Sequence, residues 1–488
     1  MVREINPPSE SLILDKTLDK STWRFSQSSS RIVPSFQEHT QDLVSEMPTF
    51  RFVAFLTSLL GMLLTLSAVS AKENPKAQWG QWRGPLSTGV APLAKPPTRW
   101  SEKENIRWKA AIPGRGLSSP VVWGESVFLT TAIERGTPRA LLKAPSAGAH
   151  NNMPARYEQK FVVLALNRKD GSVLWEHTAR IAQPHEDTHT SGSWASQSPV
   201  TDGEVLCASF GSAGLYCYTL KGKLLWHKDL GDMEIYHGHG EGSSPALFKN
   251  LVIINWDHQG ASFLVAMDKL TGKEIWRRER DEITSWASPL VVTHRGKTQV
   301  IISATDRIRG YELNSGEDIW ACGGLSRNVV ATPVYGDGFL YTGSSYNTRA
   351  FMGINLDKAR GDITGTDAVA WTHTRNTPYV PSPILYKDSL CYIRHLQGVL
   401  SCVEPQTGKT QWGPQKLPGI RRVYASPVGA ADKIYVLGRQ GTTAVLKRSH
   451  RFQPLASNSL KDIFGASPAI VGNEIFMRGE ESLYCIAE

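Results

Sequence analysis

One short motif occurs eight times in the chain and constrains the possible folds more than any other feature. Each copy is a serine or threonine, then proline, then apolar residues, and the prolines are Pro120, Pro199, Pro245, Pro289, Pro333, Pro383, Pro427 and Pro468. Successive prolines are 41–50 residues apart, except for a first interval of 79 that carries an insertion within about residues 133–160. Self-similarity at a fixed period predicts a repeat architecture in which each repeat is one supersecondary unit.

A glycine turn that leads into tryptophan follows the motif in most units. It occurs at 170–175, 221–226, 271–276, 315–320 and 407–412, and Trp371 follows a longer turn. Between the motif and this turn lie two short apolar segments, for example 252–256 and 263–267. Four short strands in a period of this length predict the four-stranded antiparallel blade of a β-propeller.

The two ends of the chain complement each other. The last unit stops after the apolar segment 483–487 without a tryptophan strand, whereas residues 106–109 contain Trp108 outside any unit. A strand near Trp108 is therefore expected to complete the last blade and to remove two exposed sheet edges. The predicted fold class is all-β, an eight-bladed β-propeller closed by this N-terminal strand. The tryptophans expected to pack between blades, rather than to stack on a cofactor, are Trp108, Trp175, Trp226, Trp276, Trp320, Trp371 and Trp412.

A targeting segment precedes the repeats. Residues 52–69 form a long apolar run that follows Arg51 and ends in the small residues of 69–71. This pattern predicts a signal peptide that starts at Met47 and is cleaved near Ala71, and hence a periplasmic or otherwise exported protein without stable membrane insertion. The alternative is an uncleaved anchor, because a run of 18 residues is near the lower limit for spanning a bilayer. The expected segments are a disordered or mis-assigned extension (1–46), the signal peptide (47–71), an arm (72–104) and the propeller (105–488).

Four of the six cysteines form two pairs in sequence. Cys207 and Cys217 flank one turn, and Cys391 and Cys402 flank another, so each pair could face across a hairpin and form a disulfide in an oxidising compartment. However, Cys217, Cys402 and Cys485 occupy one repeat position that calls for a small buried residue. Free buried thiols are therefore an equally good interpretation.

The charge balance excludes one class of partner. The chain has 54 lysines and arginines against 45 acidic residues, a net charge of +9. Despite this excess of positive charge, the sequence contains no run of basic residues interleaved with aromatic residues. Nucleic-acid binding is therefore not expected.

The Ser-Pro motif, followed by a sequence such as Thr271-Gly-Lys-Glu-Ile-Trp276, resembles the PQQ-type propeller repeat over residues 105–488. That repeat belongs to pyrroloquinoline-quinone (PQQ) alcohol dehydrogenases and to BamB-like outer-membrane assembly proteins. The segments 79–85, 193–199 and 424–427 are similar to exported bacterial PQQ-like propeller proteins. The resemblance implies an eight-bladed exported propeller, whereas function does not follow from the fold alone.

The catalytic features of this family are not recognisable in the chain. PQQ dehydrogenases use a vicinal disulfide, an Asp base, and Glu and Asn ligands to calcium, but this chain has no adjacent cysteines and no alignable Asp, Glu or Asn set. No cysteine follows the apolar run 52–69, so the lipid anchor of BamB is not expected either.

Loops at one end of a propeller converge, and here they carry many arginines. They predict a polar, Arg-rich mouth that could clamp an anionic group through bidentate contacts. The alternative is ordinary surface charge. The candidate ligand-binding residues are Arg307, Arg349, Arg394, Arg439, Arg478, Tyr346 and Trp256.

A second group of candidates lies on loops of two consecutive units. Imidazoles and carboxylates there could bind a divalent metal. The alternative is a set of solvated, mutually hydrogen-bonded loop residues, because His-x3-His in a loop lacks the fixed spacing that a helix provides. The candidate ligands are His185, His189, His237, His239, Glu241, Asp257 and His258.

Two functional hypotheses follow. The first is a non-catalytic, monomeric binding or scaffold module that presents its mouth to a protein, a glycan or a small anionic ligand. The alternative is a periplasmic quinoprotein-type oxidoreductase that uses PQQ and a divalent metal. No nucleophile elbow, phosphate-binding loop or paired-carboxylate motif assigns catalytic residues.

Overall fold

Each sequence repeat folds into one antiparallel sheet, and the sheets are the eight blades of a propeller. The computed structural model describes residues 73–488. The predicted signal peptide (47–71) and the extension (1–46) lie outside these residues. Residues 73–488 contain no helix with the length and hydropathy of a membrane span.

Blades 1–4 come from the first half of the propeller, and their strands are given from the innermost to the outermost. Blade 1 is Val121–Trp123, Ser126–Arg135, Glu158–Asn167 and Val173–Ala182. Blade 2 is Val200–Thr201, Val205–Ser209, Leu215–Thr219 and Leu224–Lys228. Blade 3 is Ala246–Phe248, Leu251–Trp256, Ser262–Asp268 and Glu274–Arg280. Blade 4 is Leu290–His294, Lys297–Ser303, Ile308–Glu312 and Asp318–Cys322, with Gly361–Asp362 added in parallel at its outer edge.

Blades 5–8 follow the same plan. Blade 5 is Val334–Gly336, Phe339–Ser344, Ala350–Asn355 and Val369–His373. Blade 6 is Ile384–Tyr386, Ser389–Ile393, Val399–Val403 and Thr410–Lys416. Blade 7 is Val428–Ala430, Lys433–Leu437, Thr442–Lys447 and Pro454–Ser459. Blade 8 is Ala469–Val471, Glu474–Arg478, Ser482–Ile486 and Ile106–Ala111. Outside the blades, Asn152–Met153 pairs with Thr188–His189, and short 3-10 helices span Pro75–Ala77, Gly211–Ala213 and Tyr236–Gly238.

Blade 8 confirms the predicted closure of the ring. Its outermost strand, Ile106–Ala111, pairs antiparallel with Ser482–Ile486, and Trp108 lies opposite Cys485. The N-terminal strand therefore covers the edge that the last repeat leaves open, which is the prediction made from the missing tryptophan strand.

The serine or threonine of the repeat motif joins neighbouring blades. Its backbone N–H donates to the hydroxyl oxygen of the equivalent residue in the next blade, at 2.9–3.0 Å in all eight cases. The bond from Ser467 to Ser119 closes the circle. We call this circle the hydroxyl ring; its members are Ser119, Ser198, Ser244, Ser288, Thr332, Ser382, Ser426 and Ser467.

The glycine turn and the blade tryptophan interlock at the outside of the ring. The indole N–H of Trp226 donates to Lys269 O in the next blade at 2.8 Å. Gly272 of that blade lies against the same indole with φ +67°, and a Cβ there would be 2.6 Å from the ring. Trp108, Trp175, Trp276, Trp371 and Trp412 also donate to a carbonyl of the following blade. Trp320 differs, because its indole N–H donates to Gln299 in its own blade.

The arm that precedes blade 8 crosses the axis of the propeller. Trp79 pairs with Val122 of blade 1, and Val90 pairs with Gly429 of blade 7. Between them, Arg83 is 2% exposed, and its guanidinium donates to Pro383 O at 2.8 Å and to Pro427 O at 3.0 Å. Gly80 O accepts from Thr201 N in blade 2, and Thr88 O accepts from Leu385 N in blade 6. Because blades 2 and 6 face each other across the ring, the arm binds innermost strands on both sides of the axis.

Both cysteine pairs form disulfides. Cys207 lies directly opposite Cys217 in blade 2, and Cys391 directly opposite Cys402 in blade 6, with Cα–Cα distances of 4.2 and 4.1 Å. Of the two interpretations that the sequence left open, the cross-strand disulfide therefore holds for these four residues. Cys485, at the same repeat position, is a buried free thiol.

Candidate ligand site at the propeller axis

A cavity of about 350 Å³ lies on the axis, above the arm. Its floor is the indole of Trp82, whose N–H donates to Ser467 of the hydroxyl ring at 3.3 Å. Ser119, Ser198 and Ser244 of the same ring also line it. Within residues 73–488, none of the eight ring hydroxyls donates a hydrogen bond to the protein. The hydroxyl hydrogens of the four ring members that line the cavity are therefore available to a ligand.

One repeat position supplies the wall of this cavity. The residue three places before each repeat proline lines the cavity in every blade; these residues are Leu117, Ser196, Gly242, Trp286, Val330, Val380, Tyr424 and Gly465. Sequence reasoning missed this set, although counting back from the proline finds all eight. Because the position carries glycine in two blades and a large aromatic in two others, the cavity is not eightfold symmetric.

Aromatic side chains dominate one side of the cavity. Trp286 lines it with its indole N–H fixed by Gly240 O at 2.7 Å. Tyr346, a predicted site residue, also lines it and stacks on Tyr379, with ring centroids 6.1 Å apart. This side presents flat apolar faces with few freely rotating groups.

Three histidines, His150, His189 and His239, also line the cavity, and His237 lies beside them. The ring centroids of His150, His237 and His239 lie 4.8–5.5 Å apart, and His189 is 4.8 Å from His239. His150 was not among the predicted residues. It lies in the insertion of the first unit, and the length of that insertion was the only sequence signal for it.

Backbone contacts orient these rings. Nδ1 of His150 and Nδ1 of His237 lie 2.9 Å from the carbonyls of Gly148 and Ala147, so both donate and leave Nε2 as an acceptor. Nε2 of His239 is buried without a partner among the described residues. Burial, and then the neighbouring histidines, lower the pKa of His239 to about 4. Burial also lowers the pKa of His189. Both rings are thus neutral at pH 7.

The seven predicted metal ligands are not brought together. His189, His237 and His239 meet, whereas the other four side chains are held by other partners. His185 contacts Met233 O, Glu241 accepts from Ser212, Asp257 pairs with Arg280, and His258 accepts from Glu234 N. In the part of the chain that the structure describes, no three histidine, cysteine or acidic side chains are arranged to hold a metal ion.

Glu241 is the one carboxylate among the lining residues of the axial cavity. Its two oxygens accept from the backbone N–H and the hydroxyl of Ser212. Burial raises its pKa to about 7 even though the Ser212 hydrogen bonds oppose this shift. The carboxyl group therefore titrates near neutral pH.

The predicted arginines do not form one continuous patch. Arg307 pairs with Asp362 at 2.7 Å, and Arg439 pairs with Glu480 at 3.2 Å and lies over the ring of Tyr424. Arg349 and Arg394 line a second cavity, of about 410 Å³.

Two predicted site residues are internal. Arg478 is 2% exposed and donates to Ser118 and to the carbonyl of Thr130, and burial lowers its pKa to about 9. Trp256 is buried and stacks on Phe263. The axial cavity is lined by no lysine or arginine among the described residues.

Comparison with known families agrees with the repeat. The family model described as outer membrane protein assembly factor BamB matches residues 99–230, 159–414 and 261–487. The chain belongs to this family. A search among curated proteins finds no significant match.

Several solved structures resemble this BamB-family propeller. BamB from Moraxella catarrhalis is 16% identical, with a TM-score of 0.48 over 73% of this chain and 100% of its own. The computationally designed Ika8 protein is 12% identical, with a TM-score of 0.49 over 77% of this chain and 100% of its own. Quinohemoprotein alcohol dehydrogenase ADHIIG from Pseudomonas putida HK5 is 11% identical, with a TM-score of 0.49 over 84% of this chain and 80% of its own.

The axial cavity does not fit PQQ, the cofactor that the repeat type implies. PQQ carries several carboxylates, and these need cationic partners when they are taken out of water. The described lining residues include no arginine or lysine that could supply such a partner. The six cysteines also include no adjacent pair.

Proposed function

We propose that this BamB-family protein is an exported, non-catalytic binding propeller that takes a neutral, polyhydroxylated part of a glycan into its axial cavity. Export rests on the predicted signal peptide at 47–71 and on the family, whose described role is at the outer membrane. One observation carries the binding proposal. The axial cavity combines ring hydroxyls that donate to no described residue with an aromatic wall, and no described lysine or arginine lines it.

This combination matches the chemistry of a sugar. A sugar ring offers apolar C–H faces, which pack on flat aromatic rings, and hydroxyls, which need neutral donors and acceptors. Trp286 and Tyr346 supply the faces, whereas the hydroxyl ring and the neutral histidines supply the polar partners. The volume of about 350 Å³ is within the range of small-molecule sites.

The same cavity lacks the machinery to hydrolyse a glycan. Glycoside hydrolysis commonly uses two carboxyl groups on either side of the scissile bond, about 5–9.5 Å apart. Glu241 is the single carboxylate among the described lining residues, and Ser212 holds both of its oxygens. Binding without turnover is therefore the better interpretation of this geometry.

Calorimetric titration of the purified protein with neutral oligosaccharides tests the proposal. Tyr346→Ala removes an exposed aromatic face and should weaken binding about 10-fold, the equivalent of about 1.4 kcal/mol. Tyr335→Ala is the matched control, because Tyr335 lies outside the axial cavity, beside His294. Failure of every neutral oligosaccharide to bind would overturn the proposal. Binding of PQQ with calcium, accompanied by dye-linked alcohol oxidation, would instead support the quinoprotein hypothesis.

A further inference from the structure

The second cavity, of about 410 Å³, lies between loops of blades 5 and 6 and carries an uncompensated positive charge. Arg349 and Arg394 line it together with His395, and no carboxylate is among the described lining residues. Neither arginine forms a salt bridge with any residue of 73–488. This distinguishes them from Arg307 and Arg439, which are both paired with acidic side chains.

Neutral groups orient Arg394 in this cavity. Its guanidinium donates to the amide oxygen of Gln397 and lies 3.5 Å from that of Asn376. Amide oxygens hold a guanidinium in place without neutralising it, so its charge stays available for an anion. A guanidinium presents paired N–H groups that match carboxylate, sulfate and phosphate oxygens.

The two loops that form the cavity are fixed to each other. His395 N donates to Thr377 O at 2.9 Å, and Pro378 and His395 form an isolated β-bridge. The hydroxyl of Thr377 donates to Ser344 O at 3.0 Å. Because these bonds are buried or partly buried, the cavity does not depend on a ligand to assemble it.

An aromatic stack connects this cavity to the axial cavity. Tyr346 and Tyr379 line the axial cavity and stack on each other, with ring centroids 6.1 Å apart, and the ring of Tyr379 packs at a tilt against His395, with centroids 4.7 Å apart. Leu396 lines the axial cavity, whereas its neighbours His395 and Gln397 line the second one. The two cavities thus adjoin the same loops, and a ligand whose sugar ring lies on Tyr346 lies beside the loop that carries Arg349.

We infer that the glycan is acidic, and that Arg349 and Arg394 bind its anionic substituent, a carboxylate, sulfate or phosphate. This inference rests on the proposed function for the sugar but adds a separate site for the charge. His395 supplies a hydrogen bond rather than a charge, because burial and the neighbouring Arg349 lower its pKa.

The test compares oligosaccharides that share a backbone but differ in charge: the neutral form, a uronate form, a sulfated form and a phosphorylated form. Wild type should bind at least one acidic form about 10-fold or more tightly than the neutral form. The Arg349→Gln/Arg394→Gln variant should bind acidic and neutral forms equally and retain the neutral affinity. An Arg135→Gln/Arg156→Gln variant removes the same charge from exposed arginines outside both cavities and should keep the preference.

The inference is overturned if the Arg349→Gln/Arg394→Gln variant still binds acidic forms more tightly than the neutral form. It is also overturned if wild type binds the acidic and neutral forms equally. The failure of the proposed function has a different signature. In that case neutral oligosaccharides do not bind, whereas inorganic sulfate, phosphate or acetate still binds and requires the two arginines. Unchanged thermal unfolding of the Gln variant shows that the loss is not a folding defect, since neither arginine is in a described ion pair.

Discussion

Replacing Ser382 with alanine removes one acceptor from the hydroxyl ring. The hydroxyl of Ser382 accepts from the backbone N–H of Thr332 at 2.9 Å, and the N–H of Ser382 donates onward to Ser426 at 2.9 Å. The hydrogen bond from Ser382 N to Ser426 uses a backbone donor, so it is retained in the alanine variant. The N–H of Thr332, in contrast, loses its partner at a position where Ser382 is 0% exposed.

The expected cost follows from that orphaned donor. A buried N–H without an acceptor costs about 1–3 kcal/mol, and complete burial prevents water from replacing the hydroxyl easily. The removed hydroxyl donates to nothing within the described chain, so no second group is left unsatisfied. We therefore expect Ser382→Ala to lower the free energy of unfolding by about 1–3 kcal/mol.

Urea denaturation measures this loss as a lower midpoint at an unchanged m-value. Hydrogen exchange locates it, because the Thr332 amide should exchange faster than in wild type. The matched control is Ser382→Thr, which keeps the hydroxyl, and threonine already occupies this repeat position at residue 332. If the alanine variant is as stable as wild type and its Thr332 amide stays protected, the ring does not contribute to the stability of the propeller.

Three further predictions concern other features. Gly272→Ala should lower the free energy of unfolding by about 1–3 kcal/mol more than Gly365→Ala, because both glycines have a positive φ but only the Cβ at 272 meets an indole. Urea midpoints of the two variants measure this difference. Between pH 6.5 and about 4 the free energy of unfolding of wild type should fall relative to that of His239→Gln, because folded His239 binds fewer protons than the unfolded chain; urea midpoints of the two proteins across this range measure the difference, and the raised pKa of Glu241 acts in both proteins. Replacing Cys207 and Cys217 by alanines removes their disulfide and should lower the free energy of unfolding by about 2–4 kcal/mol. In this variant, hydrogen exchange of the blade 2 amides should be the same with and without added reductant.

The blade number and the closure of the ring were predictable because they depend on local patterns that repeat. The Ser-Pro motif counts the blades, and the unpartnered Trp108 identifies the closing strand. The partners of the repeated residues were not predictable in the same way. Each motif serine or threonine bonds to the equivalent residue in the next blade, and a pattern within one repeat does not contain that contact.

The candidate site was less accessible to sequence reasoning, for a physical reason. Loop residues can turn toward the axis or be held by their own neighbours, and composition does not distinguish these cases. His189 turns toward the axis, whereas Asp257, from the same predicted metal set, is held in an internal ion pair with Arg280. The floor residue Trp82 comes from the arm, and His150 comes from an insertion, so neither has a counterpart in the other repeats.

The asymmetry of the cavity indicates where specificity arises in this propeller. The ring hydroxyls that line the cavity occupy equivalent positions in their blades, so they alone cannot select the orientation of a ligand. Selection must come from lining residues that differ between blades, such as Tyr346 and the residues three places before each proline, where Trp286 and Tyr424 fill space and Gly242 and Gly465 leave it open. A Cβ at Gly465 would lie 3.1 Å from Leu117, which also lines the cavity, so a larger side chain there would have to displace Leu117. Changes at this position can therefore alter the ligand without disturbing the hydrogen bonds that close the ring.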